Sequence, residues 1–163
     1  NLLTLTRIEM QSENPQLARF DICNAVMEVT MPFESVAFEL GISLECDLTD
    51  QIFINGNEQQ LKQVVAILTD NAIKHCYYGG RVLVNILQHK NKCHITVSNT
   101  GEPIPDELKN KIFERFFRSD ESRNREENRY GLGLAIAKQI VDNHNGTISV
   151  NCENGYTTFE VII

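Results

Sequence analysis

Apolar residues recur at helical spacing most clearly in residues 57–75, where Leu61, Val64, Val65, Leu68 and Ala72 fall on one stripe. That pattern predicts an amphipathic helix over the whole segment. Elsewhere apolar and polar positions alternate. Residues 42–46 and 51–54 read as two strand-like segments joined by a polar turn at 47–50, and Asn55-Gly56 ends the pair. Residues 81–88 and 93–98 alternate like paired strands across His89, Lys90, Asn91 and Lys92, and 147–152 and 157–163 form a last pair joined at Glu153, Asn154 and Gly155. Leu17 to Phe20 suits a short strand. Asp21 or Asn24 can cap a helix that reaches about Leu40 and is ended by Gly41, with a break expected at Pro32.

The remaining segments are less regular. Leu2, Leu3, Leu5 and Ile8, with Arg7 and Glu9, read as a helix end closed by Pro15. Ten residues make a marginal helix alone, so the tail of a longer helix is expected. A short helix follows Pro105 through Ile112, Phe113, Phe116 and Phe117. Residues 118–130 carry almost no apolar side chain and read as a polar loop, after which Gly131 opens a helix to about Asn145. The sum predicts an α/β fold: a two-layer sandwich with a helical layer on one mixed sheet, in a single domain without an internal linker.

Composition narrows the function classes. A chain of 163 residues hides roughly 70% of its unfolded surface. With 42% hydrophobic and 23% charged residues it is not a disordered chain. Fifteen basic against twenty-two acidic side chains give a net charge of -7, which argues against nucleic acid and against anionic lipid as partners. No apolar run reaches the length of a membrane span and no basic-then-apolar leader opens the chain, so a soluble piece is expected. Cys23, Cys46, Cys76, Cys93 and Cys152 are scattered without a C-x-x-C pair, as free thiols in a reducing cytosol would be. The four histidines are dispersed and suggest no zinc cluster.

Three features carry possible chemistry. On the 57–75 helix, Ile67, Asn71, Lys74 and His75 share a stripe, and an amide oxygen near an ammonium suits Mg²⁺ with phosphate. The plain alternative is a solvated helix face. Asn99, Thr100, Gly101, Glu102 and Pro103 end a strand; Gly101 permits positive φ or close approach of a ligand ring, and Asn99 offers donors and an acceptor. It can also be a simple loop. Tyr130, Gly131, Leu132, Gly133 and Leu134 place free N–H groups at a helix start, with Arg115, Arg118, Arg123, Arg125 and Arg129 nearby as phosphate partners. This is neither a P-loop nor a Rossmann turn.

Taken in order, these segments resemble a known set. Residues 61–75 (LKQVVAILTDNAIKH) resemble the N box of bacterial sensor histidine kinases, and 97–105 (VSNTGEPIP) a variant of their first glycine box. Residues 112–118 (IFERFFR) are similar to their F box, and 131–138 (GLGLAIAK) to their second glycine box. His144-Asn145-Gly146-Thr147-Ile148 and Thr157-Thr158-Phe159 fit the family's last strands. The resemblance implies the catalytic and ATP-binding domain of such a kinase, with a Bergerat-type fold over residues 15–163. Residues 1–14 would then be a remnant of the second dimerisation helix.

In that reading Asn71 holds Mg²⁺, and Lys74 with His75 faces the phosphates. Asn99 reads the adenine amino group, Gly101 lets the base approach, and Ile104 lines the cofactor. Arg118 reaches the γ-phosphate from an ATP lid spanning 118–130, and Gly131, Leu132, Gly133 and Leu134 present N–H groups to phosphate. Asn71, Lys74 and Arg118 are the expected catalytic residues. Partners implied are the dimerisation module bearing the phosphoacceptor histidine and a downstream response regulator. The parent would be a homodimer, membrane-anchored in many such kinases, with this part cytoplasmic.

Four positions depart from the family pattern: Asn99 for the usual Asp, Pro103 for the second glycine, Ile67 for a common Asn, and Arg129-Tyr130 for small residues before Gly131. Related hydrolysing ATPases carry Glu where Ile67 stands, and an aliphatic side chain cannot act as a general base. The family's acceptor histidine precedes an acidic residue, whereas His75, His89, His94 and His144 precede Cys, Lys, Ile and Asn. Apart from His75 they read as surface or turn histidines. A competing reading is a regulatory module that keeps the fold and binds nucleotide weakly or not at all.

Overall fold

The computed structural model describes residues 17–48, 51–117 and 131–163. The expected tail at 1–14 and the polar loop at 118–130 lie outside the described residues. A short strand β1 (Ala18–Asp21) leads into α1 (Ile22–Thr30), which Asp21 caps by accepting from the Cys23 and Asn24 amides at 3.0 and 3.5 Å. The break at Pro32 is present: a second helix, α2 (Phe33–Glu39), follows directly and ends at Gly41, whose φ is +67°.

Next come β2 (Ser43–Leu48), β3 (Phe53–Gly56), α3 (Glu58–His75), β4 (Arg81–His89) and β5 (Lys92–Thr100). After two short 3₁₀ turns and the undescribed segment, the chain closes with α4 (Gly133–Asn143), β6 (Thr147–Glu153) and β7 (Tyr156–Ile162). Five strands form one mixed sheet in the order β2-β4-β5-β7-β6, with β2 parallel to β4 and every other neighbour antiparallel. The expected hairpin β4–β5 turns on Lys90 and Asn91, both at positive φ, and β6–β7 turns on Asn154-Gly155 in the same way.

Three expectations need correction. Residues 42–46 and 51–54 are not a pair: β3 joins β1 in a separate two-stranded antiparallel sheet, so there are two sheets among the described residues. The reason is Ile52, buried to 6% exposure, whose carbonyl accepts from the Ile22 amide at 2.9 Å and draws the chain to the start of α1. The helix expected after Pro105 is two 3₁₀ turns, Asp106–Leu108 and Lys111–Phe113, held by i→i+3 bonds, and the chain leaves the helical region at Glu114, whose ψ is 149°. The last helix begins at Gly133 rather than Gly131, because Gly131 sits at φ +61°.

One face of the sheet carries the core. Val82, Val84, Ile86, Ile95, Val97, Phe159 and Val161 point inward against Leu61, Val64, Val65 and Leu68 of α3, Ile22 and Val26 of α1, and Ile136 and Ile140 of α4, all nearly inaccessible. The alternate positions, such as Thr96, Ser98, Thr158 and Glu160, are polar and outward, so period-two alternation makes one face dry and one wet. His144, expected in a turn, is there with both ring nitrogens engaged. Its Nε2 accepts from the Asn57 amide at 3.0 Å and its Nδ1 donates to the Ile140 carbonyl at 2.7 Å, which ties the end of α4 to the start of α3.

Cys93 lies inward on β5, 2% exposed, and burial followed by the nearby Cys23 thiol pushes its pKa from 9.0 up to about 12. Below pH 9 the thiol is neutral both folded and unfolded. Above it the unfolded chain ionises and the folded one does not, so stability falls as pH rises from 9 toward 12, by up to about 1.4 kcal/mol per unit from this group. Urea unfolding of the wild type and Cys93→Ala between pH 8 and 11 is expected to show the stability gap between them narrowing above pH 9.

Candidate functional site

The middle of α3 is where the sequence-predicted residues gather. Asn57 caps the helix by accepting from the Gln60 amide at 3.0 Å, and Leu61, Val64, Val65, Leu68 and Ala72 seat it on the sheet. That seat leaves Ile67, Asn71 and His75, spaced four apart, on a neighbouring stripe about 12 Å long. Asn71 is half-buried, and among the described residues its amide makes no hydrogen bond. Lys74, 28% exposed at its side chain, forms an ion pair with Asp70 one turn earlier. His75 is exposed on the last turn.

Among the described residues no three His, Cys, Asp or Glu side chains converge as a metal cage. What α3 offers a metal is the Asn71 amide oxygen. That donor suits Mg²⁺, whose remaining shell is commonly water and phosphate oxygen, and does not suit zinc.

Asn99 and Gly101 come to the C-terminal end of the same helix. Asn99, 2% exposed, lies inward on β5, and its Nδ2 donates to the Thr100 carbonyl at 3.3 Å. Gly101 is buried and its φ is not positive. A Cβ there would lie 2.4 Å from the His75 carbonyl oxygen and 2.8 Å from Asn99 Nδ2, so the close approach visible here is of β5's end to α3. The Tyr77 amide donating to the Thr100 carbonyl at 3.1 Å, and the Arg81 amide to Thr100 Oγ1 at 2.9 Å, fasten the same junction.

Sequence reasoning missed two neighbours of Asn99. Across the register Asn99 faces Thr157, which in turn faces Cys152, so the three form one row on the inner face of β5, β7 and β6. Thr157 is 4% exposed. The signal was a polar residue at an inward position of β7, in phase with Phe159 and Val161. Ile104, half-buried against the core, donates its amide to Cys152 Sγ at 3.3 Å.

The second glycine segment meets α3 at its middle. Gly131 needs its left-handed backbone and has no room for a Cβ, which would stand 2.7 Å from the Phe117 carbonyl. Gly131 accepts from the Phe116 amide at 3.2 Å, which joins the F-box segment to the entry of α4. Leu132 is buried and Leu134 packs on the core. A Cβ on Gly133 would lie 3.4 Å from Ile67 Cγ2, one turn before Asn71. Arg118, Arg123, Arg125, Arg129 and Tyr130 lie outside the described residues, and Arg115 is exposed. A shallow depression on the wet face of the sheet, lined by Thr96, Ser149, Asn151, Glu153, Thr158 and Glu160, contains none of the predicted site residues.

Residues 56–163 match the family model described as Histidine kinase-, DNA gyrase B-, and HSP90-like ATPase. The chain belongs to this ATPase family. Its curated relatives include sensor proteins and sensor histidine kinases. The sensor protein DltS of Streptococcus agalactiae is 31% identical over 161 residues, which is 99% of this chain and 40% of DltS. The sensor histidine kinase RppB of Synechocystis sp. is 35% identical over 156 residues, 95% of this chain and 34% of RppB. The chain therefore spans about a third to two fifths of these relatives. The nucleotide-free catalytic domain of histidine kinase ThkA superposes with a TM-score of 0.79 at 27% identity, covering 91% of this chain and 96% of that one. ThkA has also been solved in complex with the response regulator protein TrrA; that kinase chain matches at 27% identity and a TM-score of 0.76, covering 99% of this chain and 47% of its own. The fold is that of a histidine kinase catalytic domain, and the expected two-layer α/β sandwich holds. No helix among the described residues is long and apolar enough to cross a membrane.

The two glycines that touch α3 are predicted to behave differently in this ATPase domain. Gly101→Ala forces a backbone carbonyl to move and should cost about 1–3 kcal/mol, read as a lower midpoint of thermal unfolding without any ligand. Gly133→Ala makes an ordinary van der Waals contact and should leave the midpoint near wild type.

Proposed function

We propose that this domain binds ATP with Mg²⁺ and donates the γ-phosphoryl group to a histidine on the dimerisation module of the same kinase, outside this chain. Membership of the ATPase family supports nucleotide binding. The observation that carries transfer rather than hydrolysis is Ile67. It stands on the Asn71 stripe, against the entry of α4, where a water-activating carboxylate would be needed. An aliphatic group accepts no proton, whereas phosphoryl transfer asks this domain mainly for positioning and charge stabilisation.

Each residue then has a task its surroundings support. Asn71, with an uncommitted amide, offers its oxygen to Mg²⁺, which when bound neutralises phosphate charge. Lys74 exchanges Asp70 for phosphate oxygens. A part-exposed pair of this kind is worth only about 0.2–1 kcal/mol, so the exchange is cheap. His75 stands beside them. Asn99 spends Nδ2 on the Thr100 carbonyl, which leaves Oδ1 to accept from the adenine amino group as a carboxylate oxygen would. Gly101 and Ile104 flank that position. The N–H groups of Gly131, Leu132, Gly133 and Leu134 lie at the entry of an eleven-residue helix, Gly133–Asn143, whose positive end favours phosphate. Arg118 supplies charge to the γ-phosphate. Residues 1–14 belong to the second dimerisation helix, and the phosphorylated module passes its group to a response regulator. The parent kinase is a homodimer, and this domain is on the cytoplasmic side where the parent is membrane-anchored.

Thermal unfolding with a non-hydrolysable Mg-ATP analogue tests binding. At about 100 times its dissociation constant the ligand adds about 2.7 kcal/mol, a rise of about 5–11 °C for a domain of this size. EDTA or Asn71→Ala should shrink it. Labelled ATP with an added dimerisation module should then give acid-labile phosphohistidine. No shift at millimolar nucleotide would favour the regulatory reading, and phosphate release without an acceptor would favour a free-standing ATPase.

A further inference from the structure

The loop after Asn99 contains two prolines, Pro103 and Pro105, and these leave Ile104 with the one backbone N–H between Glu102 and Asp106. That amide donates to Cys152 Sγ at 3.3 Å. Cys152 Sγ is also 3.4 Å from Thr157 Oγ1, and Thr157 Oγ1 donates to the Glu102 carbonyl at 3.5 Å. Two side chains from adjacent strands thus grip the loop on both sides of Pro103. They occupy the same cross-strand row as Asn99, so the grip and the proposed base-reading amide are built on one rigid piece of sheet.

We infer that Cys152 is a positioning residue for nucleotide: its thiol, acting with Thr157, holds the Glu102–Pro103–Ile104 loop in place beside Asn99. This rests on the proposed function for what binds, but not for the anchoring itself. A thiol suits the task because it can both accept from Ile104 N–H and donate to an oxygen. A loop held at the base end acts on recognition of the adenosine part.

The test compares Cys152→Ser, which keeps donor and acceptor, with Cys152→Val, which keeps similar bulk and removes both. Expected for Cys152→Val is an affinity about five-fold weaker, the equivalent of one ordinary hydrogen bond. The loss should be by the same factor for adenosine and for Mg-ATP. Cys152→Ser should stay close to wild type. Asn71→Ala, in contrast, should weaken Mg-ATP and spare adenosine. A purely structural role would lower the unfolding midpoint of Cys152→Val without changing these affinities, and that result overturns the inference. Equal losses in Cys152→Ser and Cys152→Val overturn it as well. Hydrogen exchange at the Ile104 amide, measured without ligand, decides the anchor separately: it should be protected in wild type and Cys152→Ser and fast in Cys152→Val. If no nucleotide binds the wild type, the proposed function and the positioning role fall together. Fast exchange confined to Cys152→Val then leaves only the loop anchor standing, and unchanged exchange removes that too.

Discussion

Everything in this domain depends on how α3 lies on the sheet. Its stripe of Leu61, Val64, Val65, Leu68 and Ala72 is sealed against the inner faces of β4 and β5, at close to zero exposure. Burying such side chains contributes about 1.5–3 kcal/mol each, far more than any polar contact at the surface. Once that seat is fixed, helical geometry fixes the stripe at Ile67, Asn71 and His75. The two glycine segments then have definite places to land. Gly101 brings β5's end under the His75 carbonyl, and Gly133 brings α4 onto Ile67. Motifs 26 and 66 residues apart meet because one helix has one rotation about its axis.

The rest of the framework holds that rotation. The His144 ring joins the C-terminal end of α4 to the Asn57 amide, next to the α3 cap. Lys62 bridges Glu28 of α1 and Glu58 of α3, and its ammonium draws the Glu28 carboxyl below its ordinary value by a hydrogen bond reinforced by charge. The bridge is at the surface and contributes little energy. Its effect is directional, since it opposes slippage of α3 past α1. The hydrophobic seat supplies the stability, and these polar ties choose the register within it.

Much of this was legible in the sequence where a local signal existed. The 57–75 helix, the break at Pro32, and the Asn154-Gly155 turn all follow from periodicity or from backbone preferences that act within a few residues. The pairing of β3 with β1 was not legible. Alternation marks a strand but carries no information about its partner, and Ile52 decides the matter through a bond to Ile22 thirty residues away. The 3₁₀ turns after Pro105 failed for a related reason: bulky apolar residues suggest a helix, yet the chain turns extended at Glu114 and left-handed at Phe116. At the candidate site, the glycines could be picked out as special without revealing why. Gly101 was expected to admit a ligand, while the atom nearest its α-carbon's open side is the protein's own carbonyl. Thr157 and Cys152 became visible only through strand register.

Under the proposed function, the site divides between two kinds of support. The base end is set in a sheet row of Asn99, Thr157 and Cys152, with Thr157 flanked on both sides and Cys152 on the edge strand. The phosphate end is set on helix termini and on Lys74, which meets Asp70 before it meets any ligand. That pairing has a consequence for which nucleotide is favoured. The chain carries a net charge of -7, and Asp70 adds a carboxylate close to the phosphate position. A bare triphosphate drawn to Lys74 is repelled by Asp70 over nearly the same distance, so the two effects largely cancel. A triphosphate partly neutralised by Mg²⁺ keeps the attraction of Lys74 and of the α4 amides while the metal is attracted by Asp70. The same acidic neighbour that weakens a simple anion site therefore sharpens preference for the metal complex, and Asn71, the proposed metal ligand, is one residue along the helix.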